Sequence, residues 1–283
     1  MSNPEIKKKK KIKPGRVVIY VLLILVSTIN LFPFYWMLRS SFMTKSEIFI
    51  QPMHWFPEVL HPENYHDALV AVPFLRYFYN SVFIVAFVMF GKLLSCSLVA
   101  YGFARINFRG KNIFFAVMLG TMMIPWSVLL IPQFIMWVRV GLYNTYWPLI
   151  LPAYFLDAFY IFLLRQFFQT IPKEYDEAAT IDGAPHLRIY YNIIIPLSKP
   201  ALMTVMVFTF MNTWNDFMGP LIYLKDSIKF TVSLGLQQFI GQYSTAWHQM
   251  MAAATVVIIP MLIIFFFAQR YFIEGITFSG IKG

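Results

Sequence analysis

Six stretches of predominantly apolar residues, at 17–38, 79–104, 113–138, 146–168, 201–223 and 250–272, punctuate this 283-residue chain. Each is long enough to cross the roughly 30 Å of bilayer hydrocarbon as an α-helix, which takes about 20 residues. Hydrocarbon offers a backbone amide no partner, so segments of this kind must satisfy their own hydrogen bonds as helices. The feature therefore predicts an all-α integral membrane protein with six transmembrane helices. Composition agrees: 59% of residues are hydrophobic and 13% charged, against roughly 45–50% and about 25% in soluble domains. The first stretch follows basic residues, as a secretory signal does. It is longer than the usual apolar region of a signal and no small-residue cleavage pattern follows, so it reads as a retained signal anchor.

Lysine and arginine set the orientation, because they concentrate in cytoplasmic loops. With a cytoplasmic N-terminus, the outer side holds only Arg39, Lys45, Arg76, Arg139, Lys225 and Lys229, and Lys92 falls within a span. The remaining basic residues gather on the cytoplasmic side, so both termini are expected there. The net charge of +10 does not point to nucleic acid. Lys7 to Lys11 form a single run that reads as a solvated tail beside a span, with anionic lipid headgroups as a compatible contact.

Much familiar chemistry is missing. Cys96 is the single cysteine, so neither an internal disulfide nor a cysteine metal site is expected. His54, His61, His66 and His248 fall in predicted loops and read as surface residues rather than metal ligands. The chain has no phosphate loop of the G-x-x-x-x-G-K-[ST] type, no G-x-S-x-G, no H-E-x-x-H and no Gly-rich dinucleotide turn. It is expected to be neither an enzyme nor an ATP-binding chain by that device, and it carries no cofactor of its own.

The segment 172–200 is the polar exception. Glu174, Asp176 and Glu177 crowd the first turn of a predicted helix, where its dipole favours negative charge. Ala178 and Ala179 keep that helix slim enough for another backbone to approach. Asp182 closes it, and Gly183 suits a following residue with positive φ. Pro185 fits the first position of a second helix. That helix carries Leu187, Tyr190, Tyr191 and Ile194 as an apolar face and is expected to end before Pro196. The charge count places this helix–turn–helix on the cytoplasmic side, between spans four and five.

Its spacing is also informative. Glu177-Ala178-Ala179, three residues, Gly183, nine residues, Ile193, one residue, Ile195, Pro196 resembles the E-A-A-x3-G-x9-I-x-L-P signature of ABC importer membrane subunits, with Ile195 in place of the usual Leu. "FLRYFYNSV", "AYGFAR", "WND" followed by "PLIYL", and the terminal "GITFSGIKG" resemble the carbohydrate-uptake branch, specifically the smaller six-span permease of maltose-type systems. The resemblance implies a type I ABC importer permease fold divided into a cytoplasmic basic tail (1–16), an anchor with an outer loop (17–74), a transmembrane core (75–272) containing the coupling segment (172–200), and a cytoplasmic tail (273–283). It implies that Glu177, Ala178, Ala179, Asp182 and Gly183 form coupling helices on a separate ATPase dimer, which binds the ATP. It further implies a second, unlike permease, an extracytoplasmic solute-binding protein and a carbohydrate substrate, in a bacterial or archaeal cell membrane.

Ionisable residues inside a bilayer are functional candidates, here Lys92, Asp157 and Asp216. Asn212, Trp214, Asn215 and Asp216 lie in "NTWND", near a Gly219–Pro220 pair able to break a helix, as transporters do beside a mid-membrane site. Together with Lys92 they form a candidate substrate path. A second reading has "NTWND" only linking spans through hydrogen bonds. Pro125, Pro132, Pro148 and Pro152 are expected to kink spans three and four. Three other functions stay open from the residues: a membrane scaffold that transports nothing, an importer permease for a non-sugar such as glycerol phosphate, and an ion-coupled secondary transporter. The last fits poorly with a chain lacking an obvious internal repeat.

Overall fold

The computed structural model describes residues 14–241 and 245–279, with side chains through 269. The lysine run at 7–11, Arg270 and Lys282 fall outside those limits, as do the side chains of the C-terminal motif.

Helix α1, Pro14–Ser41, has 28 residues and is about 42 Å long, longer than the hydrocarbon it must cross. Its apolar residues from Val17 to Phe34 are exposed along the chain's flank. Two short helices follow in the next loop. Helix α2, Lys45–Ile48, is capped by Thr44, whose hydroxyl accepts from the Glu47 amide, and α3 is Glu63–Ala71. His66 therefore stands on a helix rather than in a loop. Helix α4, Phe74–Arg105, is 32 residues without interruption and forms the axis of the bundle.

The third span is two helices. Helix α5, Lys111–Thr121, and α6, Trp126–Arg139, meet at 92°. Pro125 sits in the break, having no amide to donate and disfavouring helix at the residue before it, so the predicted kink is a corner. The fourth span runs from α7, Trp147–Ile150, through a 3₁₀ turn at Leu151–Tyr154, to α8, Ala158–Thr170. Pro148 and Pro152 occupy its irregular half, and Asp157 caps α8 by accepting from the Phe159 amide at 3.2 Å. Next come α9, Glu174–Ile181, and α10, His186–Ile189, which continues as a π turn, Tyr190–Ile194, into α11, Ile195–Leu197.

Helix α12, Lys199–Trp214, leaves this segment at 78°. It stops at Asn215–Phe217 and resumes as α13, Met218–Tyr223. A short α14, Val232–Gly235, precedes the last span, α15, Trp247–Ser279. His248 is on that helix, a second departure from the expected loops. Four segments are individually long and apolar enough to cross a membrane; the bent pairs α5 with α6 and α10–α11 with α12 raise that to as many as six. Among the described residues the only β-pairing is an isolated bridge between Ile240 and Thr245.

Lipid tails are as apolar as leucine, so packing between spans rests on close contact more than on transfer from water. The α4–α8 seam shows how. Cys96, Ala100 and Ala104 of α4 meet Ile161, Leu164 and Phe168 of α8, and Ile189, Tyr190 and Ile194 close one end. Gly91 lets the Tyr154 ring lie against the α4 backbone: a Cβ there would stand 2.7 Å from the ring. A second cluster of Phe74, Tyr77, Phe210, Trp214, Ala252 and Ala253 ties α4, α12 and α15 near the opposite end.

Candidate functional site

Two sets of polar residues stand out from this apolar body, one at the end where α8, α9 and α4 meet and one in mid-span.

Helix α9 begins with Glu174, Asp176 and Glu177 in its first turn, and Asp182 is its C-cap. Gly183 follows at φ +76°. Its amide donates to the Thr180 carbonyl at 3.0 Å and the Ala184 amide to that of Ala179 at 2.9 Å. This is a Schellman closure, the termination for which glycine at positive φ is suited. Pro185 lies one residue outside the expected place, capping α10 in extended conformation.

The second helix departs further. It passes through Pro196 to Leu197, because the π turn at Tyr190–Ile194 shifts the bonding to i→i−5: the Ile195 amide reaches the Tyr190 carbonyl. Widening the turn relieves the clash a proline ring makes with the carbonyl four residues back. The expected apolar face is half right. Tyr190 and Ile194 are buried together with Ile189, whereas Leu187 and Tyr191 are 62% and 55% exposed. The Tyr190 hydroxyl shares a 2.6 Å hydrogen bond with Ser97 of α4, which rotates the buried face toward that helix.

Arg105, the last residue of α4, holds α9 in place. Its Nη2 donates to the Ile171 carbonyl at 2.7 Å, and its Nε lies 3.3 Å from Asp176 Oδ2. The Arg105 side chain is 3% exposed and that of Asp176 20%. Burial pushes the Asp176 carboxyl above the usual carboxylate range, and the guanidinium opposes that shift. The pair lines a cavity of about 830 Å³ together with Lys111, Lys173, Glu177 and His186. Ala179 is half-buried against the bundle, so only its neighbour is slim on the outer face. Glu177, Ala178, Ile181, Asp182 and Gly183 are all exposed.

In mid-span, Lys92 forms an ion pair with Asp157. Each lies about 20 Å of helix from the polar ends at Arg105 and Thr170, near the centre of a bilayer. The Lys92 ammonium also stands 4.7 Å above the Tyr160 ring, and Asn212 Nδ2 donates to the Tyr160 hydroxyl at 3.3 Å. Spans two, four and five are thus joined by one polar line. Lys92 is 21% and Asp157 28% exposed, so the pair is accessible from the bundle's side.

"NTWND" does not act as a unit. Asn212 joins the polar line. Trp214 is 1% exposed, lies 5.4 Å from Phe210 and 5.5 Å from Phe78, and donates to the Val257 carbonyl at 3.1 Å. It is a core residue with no ring face left for a sugar. Asn215 Nδ2 donates to the Met211 carbonyl, and Asp216 Oδ1 accepts from the Gly219 amide at 3.0 Å, capping α13. The break therefore lies at Asn215–Phe217, and Gly219 and Pro220 are buried inside α13. Residue patterns pointed to neither Tyr160 nor Arg105. Tyr160 is one aromatic in an apolar run, and Arg105 reads as an ordinary basic residue at a span end.

Comparison with known proteins agrees with this geometry. The family described as "Binding-protein-dependent transport system inner membrane component" matches residues 94–277. The chain is 35% identical to "Probable ABC transporter permease protein YurM" of Bacillus subtilis (strain 168), over 98% of this chain and 92% of that protein. It is 32% identical to "Arabinooligosaccharides transport system permease protein AraQ" of Halalkalibacterium halodurans, over 91% and 93% of the two chains. It is 34% identical to "sn-glycerol-3-phosphate transport system permease protein UgpE" of Escherichia coli (strain UTI89 / UPEC), over 92% and 95%. A crystal structure of a bacterial ABC transporter that imports the acidic polysaccharide alginate has the same fold, with a TM-score of 0.82 at 23% identity over 93% of this chain and 100% of that one. With its helical spans, its capped α9–α10 pair and these relatives, the chain belongs to the inner membrane components of binding-protein-dependent transport systems, the multi-pass permeases of ABC importers.

Proposed function

We propose that this permease moves a sugar or oligosaccharide inward by alternating access, with α9 and α10 as the surface that docks on a separate ATPase dimer. The observation that carries the docking role is the two-sidedness of α9. Asp176 binds α9 to Arg105, while Glu177 and Ile181, which also line the cavity beside that pair, and Ala178, Asp182 and Gly183 are exposed. ATP bound by the partner subunits closes them, α9 and α10 move with them, and the attached spans reorient. Both termini and α9 lie in the cytoplasm in this reading, a second, unlike permease completes the pathway, and a solute-binding protein delivers the cargo.

The carbohydrate assignment is supported by the names of AraQ and of the alginate importer; UgpE supports glycerol phosphate as the second reading. We assign Lys92 and Asn212, with Asp157 and Tyr160 beside them, to the wall of the path. Their donors, acceptors and aromatic edge suit hydroxyl groups. Trp214 is left out because its ring is buried.

The test is reconstitution of the complete importer in vesicles. Glu177→Lys places a cation where a carboxylate is expected to meet a base, and an unpaired interfacial charge is costly. The variant should insert in the membrane at normal levels, lose ATPase subunits on purification and lose uptake. Normal uptake by Glu177→Lys would end the docking role. Uptake of radiolabelled glycerol phosphate, with no competition from sugars, would replace the carbohydrate reading.

A further inference from the structure

The loop from α2 to α3 turns back on the flank of α1 instead of rising away from it. The Tyr35 hydroxyl donates to the Trp55 carbonyl. Trp55 lies edge-on to Phe32 at 6.5 Å and Phe56 edge-on to Tyr35 at 6.4 Å. Phe32 and Tyr35 belong to the last turns of a helix about 42 Å long, which crosses about 30 Å of hydrocarbon. Residues 55 and 56 are therefore held at the depth where the acyl chains give way to headgroups. Phe49 packs edge-on against Trp247 at the start of α15, 6.0 Å away, so the same loop also grips the last span near its end.

The side chains of this loop are arranged as water would not arrange them. Phe49, Ile50, Trp55, Phe56, Val59 and Leu60 all point outward, Phe56 at 75% exposed. Some of its polar groups turn to one another or to the chain, while the Glu58 carboxylate stays 73% exposed, as the headgroup side of such a boundary allows. The Glu58 amide donates to Glu47 Oε1 at 2.8 Å, His54 Nδ1 lies 3.3 Å from Glu58 Oε1, and the His61 amide donates to the Phe42 carbonyl at 3.0 Å. The bonded Glu58 and His61 amides are satisfied by the chain itself, and tryptophan and tyrosine at this level form the belt found at membrane boundaries. Both residues 17–34 of α1 and Phe49, Ile50, Trp55, Phe56, Val59 and Leu60 of the loop are exposed.

We infer that residues 49–60 form an interfacial anchor seated in the lipid leaflet opposite α9, with Trp55, Phe56, Val59 and Leu60 in the boundary between acyl chains and headgroups. The anchor fixes the outer ends of α1 and α15 relative to the bilayer while the rest of the bundle reorients. It rests on the six-span arrangement and not on the cargo.

The experiment uses the importer purified with its partners and reconstituted in vesicles of phosphatidylcholine and phosphatidylglycerol. Cys96, the single cysteine and buried, is replaced by serine. Nitroxide labels are placed in turn at Phe56→Cys and Val59→Cys, with Leu22→Cys of α1 as the lipid reference and Lys225→Cys as the aqueous one. At 56 and 59 the labels should collide readily with oxygen and several-fold less with a nickel chelate than the label at 225, at a depth shallower than that at 22. Nickel access equal to that at 225 would overturn the proposal by placing the loop in water. Exclusion of both quenchers would overturn it too, by showing that a protein partner, either the second permease or the binding protein, covers the loop.

Discussion

At the scale of single residues, Gly183 and Lys92 illustrate two different constraints. A Cβ at Gly183 would meet nothing within 4 Å, so space does not require glycine there; its φ of +76° does. A side chain in the left-handed region costs roughly 1–2 kcal/mol, and a β-branched one is least suited. Gly183→Val should therefore impair uptake while membrane levels, read by immunoblot, stay normal, and Gly183→Asn should be tolerated because asparagine accepts positive φ. Equal uptake by the two variants would refute the conformational account. Lys92 is constrained by its partner. Removing one member of a buried ion pair costs about 3–5 kcal/mol, and partial exposure of both groups here makes the loss smaller. Lys92→Met should lower thermal stability in detergent more than Lys92→Met combined with Asp157→Asn, in which no charge is stranded. The reverse order would show that the pair is not what stabilises the seam.

At the scale of elements, the contact between α4 and α9 separates stability from coupling. Arg105 touches both Ile171 and Asp176, so a displacement of α9 is felt at the end of the helix that also carries Lys92. Burial raises the Asp176 carboxyl above its ordinary range. A carboxyl raised in the folded state favours folding only while protonated. That contribution is present below the ordinary carboxylate range and is lost as pH rises through the raised value. At neutral pH the cost of burying that charge works against the cost of stranding the buried Arg105 guanidinium, so Asp176→Asn should leave the melting temperature little changed. The same variant should reduce sugar moved per ATP hydrolysed, because the charge that follows Arg105 is gone. A fall in melting temperature with transport per ATP intact would reverse both statements.

Elements also show how much of this protein was legible in its residues. Spans two, three, four and six follow apolar length, and the breaks in spans three and four follow Pro125, Pro148 and Pro152. The end of α9 follows Asp182 and Gly183. All of these depend on interactions within a few residues. The path of α10 through Pro196 was not legible, since it depends on a π turn whose Tyr190 is bonded to Ser97 on a distant helix. The break in span five was not legible either: Gly219 and Pro220 looked like the interruption, but Asp216 reaches forward to cap the helix that contains them.

For the whole molecule, α1 leaves its apolar length on the flank, and the polar line from Lys92 to Asn212 runs across three spans toward an open side. In the proposed function a single chain is half of the pathway. Gentle extraction from native membranes should bring with it two ATPase copies, one unlike permease and a binding protein, which mass spectrometry would count; recovery of this chain as the only permease would establish a homodimer. The purified chain alone should move no sugar across vesicles under an ion gradient, and uptake in that setting would favour the ion-coupled alternative.

The sequence by itself determined that the chain lies in a membrane, which stretches are apolar enough to cross it and where the α9–α10 pair turns. Hydrophobic length, proline and a glycine at positive φ act locally and need no distant partner. Only the tertiary structure decided that Lys92 answers Asp157, 65 residues away, that Arg105 grips α9, and that Trp214 belongs to the core. In a low-dielectric interior a charge or an indole N–H must find a partner. Which partner it finds depends on how the helices pack, and no local pattern contains that.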